Sequence, residues 1–272
     1  MSNIEDNEWN MTIPAKTLLS VINIAGSITE DVICEGQEDG LLMNAVDASH
    51  VSMFNMVIGR YEEKKPSVRF GIELNGMRDA VSGFTKANKS KTDYVNLSYA
   101  NAKLTMKMAT GTVVSYPDEW ETEVTLKCLD PQTIRKVTFP EMPDGFGQSC
   151  GGTAKNISGD KLAFALKKQK RFGDLAKFVL SKDNLEIATE SDQRTIATVL
   201  NTESLGNDIE ARYSLSYLQP MAERIKKAAN LTLKFDNEFP LWINWKEASP
   251  WNKTGLEVNL DFMIAPRTQT DY

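Results

Sequence analysis

The only histidine in the 272-residue chain, His50, is the first candidate for chemistry. An imidazole acts as a general base or metal ligand only with partners at set spacing. No HExxH, histidine cluster or triad accompanies it, so a structural or partner-contact role is expected. Cys34, Cys128 and Cys150 are odd in number, widely spaced and without a CxxC pair. They predict neither a disulfide framework nor a zinc site, and they fit a reducing compartment. Gly151-Gly152-Thr153 lacks the Gly-Lys-Ser/Thr ending of a phosphate-cradling loop, and there is no GxSxG or GxGxxG. Acidic pairs are abundant but fall in no catalytic pattern. These residues predict no enzyme, no metal and no cofactor.

The remaining chemistry is charge. The net charge is −6 and the pI about 5.1, which opposes binding to an acidic polymer unless the basic residues share one surface. Many of them do fall in four helix-like segments. One segment carries Lys161, Lys167, Lys168, Lys170 and Arg171. On a helical wheel Lys167, Lys168 and Arg171 oppose Leu162 and Leu166. A second, near 215–229, carries Arg224, Lys226 and Lys227. A third carries Arg78 and is followed by Lys86, Lys89 and Lys91, and a fourth has only Lys16. Together they hold 13 of the 31 basic residues. A solvated helix face is the ordinary reading of any one of these. A face shared by repeated helices is harder to dismiss.

The elements that carry these residues repeat. Ala15, Leu18, Leu19, Ile22 and Ala25 form an apolar stripe at helical spacing, and Pro14 suits its first turn. Adding 144 to 18 and 22 gives Leu162 and Leu166. The same offset relates the strand-like Leu41–Met43, after an Asp39-Gly40 turn, to Leu185–Ile187, after Asp183-Asn184. It also relates Leu74, Met77 and Val81 to Leu218, Met221 and Ile225. Alternating strand signals follow at 94–98, 103–107, 231–235 and 241–245. The repeat predicts two similar α+β domains, at 11–125 and 144–268, joined by a connector at 126–143 with Pro131, Pro140 and Pro143. Hydrophobic content of 41% and charged content of 25% suit packed globular domains. The acidic, polar start (Met1–Asn10) does not read as a secretory signal, and no apolar run is long enough to predict a membrane helix.

Two segments, Ala45-Val46-Asp47-Ala48-Ser49-His50-Val51-Ser52-Met53 and Asp261-Phe262-Met263-Ile264-Ala265-Pro266-Arg267, resemble signatures of the DNA polymerase sliding clamps related to proliferating cell nuclear antigen (PCNA). Ser214–Leu218 and Phe239-Pro240-Leu241 extend the likeness, which runs from Met11 to Arg267. Met263 stands where the family has Tyr or Leu, and Val46 where it has Met. The resemblance implies an α+β fold of two similar clamp domains, each with antiparallel sheets outside and two helices inside, assembling into a ring. It implies a non-catalytic processivity factor, a homotrimer, that encircles duplex DNA and tethers polymerase, clamp loader, ligase and nuclease through short peptides. The DNA-facing residues would then be Lys16, Arg78, Lys86, Lys89, Lys161, Lys167, Lys168, Lys170, Arg171, Arg224, Lys226 and Lys227, through phosphate contacts without base reading. The peptide pocket would use Val46, His50, Val51, Ile134, Val137, Pro240, Met263, Ala265 and Pro266. The subunit joint would pair a strand within Trp120–Lys127 with one within Leu185–Glu190, using Trp120, Lys127, Leu185, Ile187 and Glu190. The expected location is cytoplasmic for an archaeal or viral source and nuclear for a eukaryotic one. The competing readings are a subunit of a hetero-oligomeric, checkpoint-type ring and an enzyme without a recognisable motif.

Overall fold

The computed structural model describes residues 8–61, 66–87, 92–111, 121–135, 138–148, 150–191, 194–206, 208–248 and 256–267. Lys89, Trp120 and Val137 lie outside them, as does the side chain of Lys86. The chain divides into two compact α+β units. One comprises 1–46, 55–137 and 247–259; the other comprises 47–54, 138–246 and 260–272.

In the first unit β1 (Trp9–Pro14) leads into α1 (Ala15–Ala25), β2 (Asp31–Gln37), β3 (Gly40–Val46), β4 (Ser52–Gly59), β5 (Val68–Glu73), α2 (Leu74–Ala87), β6 (Thr92–Ala100), β7 (Lys103–Gly111) and β8 (Thr122–Lys127). The antiparallel sheet β1-β6-β7-β8 ends on β8, and β2 pairs with β3 on one side and β5 on the other. Pro14 fixes the turn from β1 into α1 with φ −58° and ψ 130°, since its missing N–H would have had no helical partner there. Helix α1 buries Leu18, Val21 and Ile22, packs on α2, and shares a core with Ile33, Met43, Phe70, Met77, Val81, Leu97 and Met106. Trp9 closes one end, lying over Gly36 with its indole N–H donating to the Gln37 carbonyl at 2.7 Å.

The second unit repeats this order: β9 (Gly152–Ile157), α3 (Gly159–Gln169), β10 (Leu175–Ser181), β11 (Asn184–Ser191), β12 (Arg194–Asn201), an additional strand β13 (Glu203–Gly206), β14 (Ile209–Ser214), α4 (Leu215–Arg224), β15 (Leu231–Asp236), β16 (Phe239–Ala248) and β17 (Glu257–Ile264). One sheet runs β12-β11-β10-β14, and β13, β9, β15 and β16 pair in succession. Phe178, Tyr213 and Phe235 meet edge to face at its centre, a favoured aromatic geometry.

The 144-residue offset holds for β2 and β10 (31 + 144 = 175), but α2 and α4 are related by 141 (74 + 141 = 215). A shift of three is nearly one helical turn, so an apolar stripe survives it. That is why Leu74, Met77 and Val81 match Leu218, Met221 and Ile225 although their structural counterparts begin at Leu215. Helix α4 also ends at Arg224, short of the expected 229, so Lys226 and Lys227 lie in the following turn. There the Ala228 carbonyl accepts the Gly159 N–H at 2.9 Å. A Cβ at Gly159 would overlap the Ile225 carbonyl oxygen, so glycine permits this close approach of α3 to the end of α4.

Candidate nucleic-acid interface and docking surface

The basic helix face is best developed in the second unit. Helix α3 turns Leu162, Ala163, Ala165 and Leu166 inward, leaving Lys161, Lys167 and, just past its end, Arg171 exposed. Arg224, Lys226 and Lys227 are exposed at the end of α4, which packs on α3. The Gly159–Ala228 bond draws the Lys226–Lys227 turn to the start of α3, so these cations belong to one helix pair. Lys226 pairs with Glu223 at 3.8 Å. Lys168 and Lys170 are half-buried, and Lys170 is engaged by Asp174 one turn on. At the start of α3 the Asp160 carboxyl is held below its ordinary range by the Ser158 hydroxyl and the Lys161 N–H.

The first unit offers less. Lys16 is exposed on α1. Arg78 departs from its expected role as a free phosphate ligand. It is half-buried, its Nη1 donates to the Asn75 side chain at 2.9 Å, and its guanidinium covers Gly26 at the end of α1. A cation there meets the carbonyl end of the helix.

The expected docking segments fold around Asp47, which is 5% exposed. Its Oδ2 accepts the Ser49 N–H at 2.8 Å, and its Oδ1 accepts the N–H groups of Val51 and Ser52 at 2.7 and 2.5 Å. The loop closes with the His50 N–H donating to the Asp47 carbonyl at 3.0 Å, and His50 adopts a left-handed φ of 56°. A short acidic side chain capping its own turn is the Asx device. The carbonyl of Val51, a half-buried residue, then accepts the Ala265 N–H at 2.8 Å, which joins this loop to the Ala265–Arg267 tail. The Arg267 N–H donates to the Arg212 carbonyl at 2.8 Å, while the next residue, Tyr213, donates its hydroxyl to the Phe239 carbonyl at 3.0 Å. One strand, β14, thus anchors both the tail and the segment that carries Pro240. Val51, Pro240, Ala265 and Pro266 are all partly exposed, and His50 is exposed beside them.

One expected pocket residue is buried in the core, and two others belong to the first unit. Met263 is 1% exposed, because Phe262, Met263 and Ile264 are all buried at the end of β17, so it belongs to the core. Ile134 packs in the first unit, its Cδ1 over Gly71 of β5. Val46, at the end of β3, is half-buried in the first unit.

The expected joint also needs correction. Strand β11, which contains Leu185, Ile187 and Glu190, is not an edge: it pairs with β10 on one side and β12 on the other. Leu185 and Ile187 are fully buried, and Glu190 pairs with Lys177 at 3.5 Å. Among the described residues the end strands of the two four-stranded sheets nearest that expectation are β8, with exposed Lys127, and β12.

No protein-family model matches the chain. It is 24% identical to the DNA polymerase sliding clamp of Pyrococcus furiosus over 94% of its own length and 96% of that protein, and 24% identical to that of Methanosarcina barkeri over 97% and 100%. Among solved structures it matches A. fulgidus PCNA, solved with the C-terminal region of FEN-1, with a TM-score of 0.76 at 17% identity over 96% of this chain and 99% of that one. PCNA from Entamoeba histolytica matches with a TM-score of 0.74 at 17% identity over 97% and 100%. Over nearly its whole length the chain is similar to the PCNA-type sliding clamps, and it shares their fold. Both units of the family fold are present, and the match spans the basic helices and the docking segments alike. Sequence reading missed the Asp47 hub, although Asp-Ala-Ser-His between two strands is itself a turn signal. It also missed exposed Phe164 on α3, for which an apolar residue in an apolar helix stretch gives no warning. No helix among the described residues is long and apolar enough to cross a membrane.

Proposed function

We propose that the chain is a DNA sliding clamp, a non-catalytic ring that holds DNA polymerase and other replication enzymes on duplex DNA. The observation that carries this reading is the full-length match to archaeal sliding clamps in a duplicated fold whose helices bear exposed lysine and arginine. Lys16, Lys161, Lys167, Arg171, Arg224, Lys226 and Lys227 would meet phosphates. Such contacts are individually weak and indifferent to sequence, which permits movement along the duplex. The surplus carboxylates keep the rest of the surface unattractive to DNA.

Ring closure would proceed head to tail, with β8 of one copy pairing with β12 of the next, so that each open row of backbone donors and acceptors is satisfied. Three copies of this two-unit chain make six repeats around the hole. Val51, Pro240, Ala265 and Pro266 would receive the partner peptide, as A. fulgidus PCNA receives the C-terminal region of FEN-1; apolar anchors in such sites carry most of the binding energy. The test is processive synthesis on singly primed circular DNA with clamp loader and ATP. Long products that require the chain support the reading; unchanged product length with and without it contradicts it.

A further inference from the structure

Phe164 on α3 is 64% exposed and Val199 on β12 is 54% exposed. With Asp160, Lys161, Leu200 and Asn201 they line a cleft of about 550 Å³ in the second unit. The cleft opens beside β12, the end strand of its sheet. A bare aromatic ring next to a strand edge that is unpaired among the described residues is a costly combination, unless both are covered together.

The first unit carries the converse feature. Gly76 and Gly83 are seven residues apart on α2, and therefore on one face. A Cβ at Gly83 would meet nothing within 4 Å among the described residues. One at Gly76 would make only ordinary contacts, with Glu73 Oε2 at 3.4 Å and Leu126 Cδ2 at 3.6 Å. Neither glycine has a positive φ. Glycine inside a helix costs about 1 kcal/mol relative to alanine, and no neighbour among the described residues requires it at Gly83. Leu126, half-buried beside Gly76, belongs to β8, the end strand of the first unit's sheet. One open edge is thus flanked by a projecting ring, and the other by a helix flank that carries two glycines.

We infer that Phe164 of one copy seats against the Gly76–Gly83 flank of α2, beside Leu126, in a second copy of this chain. The inference rests on the ring reading above and names the side chains that lock its joint. Paired strands lie about 4.8 Å apart, so helices covering the two edges are brought side by side. Glycines then let the backbone of α2 approach an inserted ring. Phenylalanine buries about 150–250 Å² when enclosed, which makes it the anchor of an otherwise polar contact. Charge agrees: Lys161 is exposed at the rim of the cleft, and Glu73 and Asp79 are exposed on and beside α2.

The experiment is sedimentation velocity of the full chain across nanomolar to micromolar concentrations, for wild type, Phe164→Ala, Phe164→Glu and Gly83→Leu, each with a melting curve. Phe164 is exposed and the space at Gly83 is open, so folding is expected to be unaffected. The inference expects a wild-type trimer, a shift of at least tenfold in the dissociation midpoint for Phe164→Ala and Gly83→Leu, and a monomer for Phe164→Glu. A wild-type trimer with Phe164→Ala or Gly83→Leu within twofold of it overturns the Phe164 lock and leaves the ring standing. A large loss of melting temperature in Phe164→Ala at concentrations where both proteins are monomeric also overturns it, because the aromatic side chain would then be core packing within one copy. A wild type that stays monomeric throughout refutes the ring, and the lock with it.

Discussion

Replacing Asp47 with alanine removes one carboxylate and three backbone hydrogen bonds at once, together with a longer one from the Ser52 hydroxyl at 3.3 Å. The Ser52 N–H sits on a residue only 1% exposed, so water cannot replace its lost acceptor, and an orphaned buried donor costs about 1–3 kcal/mol. The N–H groups of Ser49 and Val51 lie on more exposed residues and can turn to solvent, so each loses only the net worth of its bond, about 0.5–1.5 kcal/mol. The sum is about 2–6 kcal/mol, centred near 4 kcal/mol. At about 2–4 °C per kcal/mol for chains of this general size, the central value means that Asp47→Ala should lower the melting temperature by about 8–16 °C. Asp47→Asn keeps the oxygen that serves Val51 and Ser52, so it should lose only about 1 kcal/mol by the same reckoning. Calorimetry gives the melting temperatures, and titration with the C-terminal peptide of a FEN-1 nuclease reports the docking surface. Because the Val51 carbonyl holds the Ala265 N–H, peptide affinity should fall with stability in Asp47→Ala and be largely kept in Asp47→Asn. An Asp47→Ala protein that melts within about 2 °C of wild type, the shift of less than 1 kcal/mol, would refute the role given to this carboxylate.

Three further outcomes are expected. Charge reversal at Lys167, Arg171 and Lys227 should weaken retention on DNA, with the slope of log affinity against log salt shallower by about 0.9 for each phosphate no longer neutralised, while sedimentation still shows the intact assembly; an unchanged slope counts against this helix pair. Pro266→Glu should abolish peptide binding and polymerase stimulation without altering assembly, as read by calorimetric titration and primer extension. Burial raises the Asp93 carboxyl above its ordinary range, with the Thr110 hydroxyl and Lys16 opposing and Glu121 adding to it, and its Oδ2 has no partner among the described residues. Since the folded value exceeds the unfolded one, stability is full at low pH and is lost as pH rises through the folded value. Asp93→Asn should therefore be more stable than wild type at neutral pH, with the difference shrinking as the pH falls toward the ordinary carboxylate range in denaturant titrations; an equal difference at both ends would contradict the assignment.

The duplicated order of elements is legible in the sequence because α1 and α3 carry strong apolar stripes, and because Asp-Gly and Asp-Asn punctuate the same hairpin in each half. The open edge of the second unit is not. Strand β12 reads Arg-Thr-Ile-Ala-Thr-Val-Leu-Asn, too weakly alternating to announce itself, so β11 looks like the last strand of its sheet. With β12 in place, Leu185 and Ile187 are enclosed and the joint moves one strand outward. Met263 misleads for a related reason: strand alternation would expose a neighbour of Phe262, but the end of β17 is covered on both faces. Arg78 follows the helical wheel outward only as far as Gly26, which leaves room for its guanidinium to fold back onto the end of α1. These are tertiary facts, set by what packs against each segment rather than by the segment itself.

The central claim is topological: the assembled chain surrounds DNA rather than sticking to it. The direct measurement is to load the protein onto nicked circular DNA with clamp loader and ATP, isolate the complex by gel filtration, cut the circle once with a restriction enzyme, and follow how much protein remains bound. Retention on the circle and rapid loss once the molecule is linear is the predicted result. Equal retention on both forms, or none on the circle, would contradict the account.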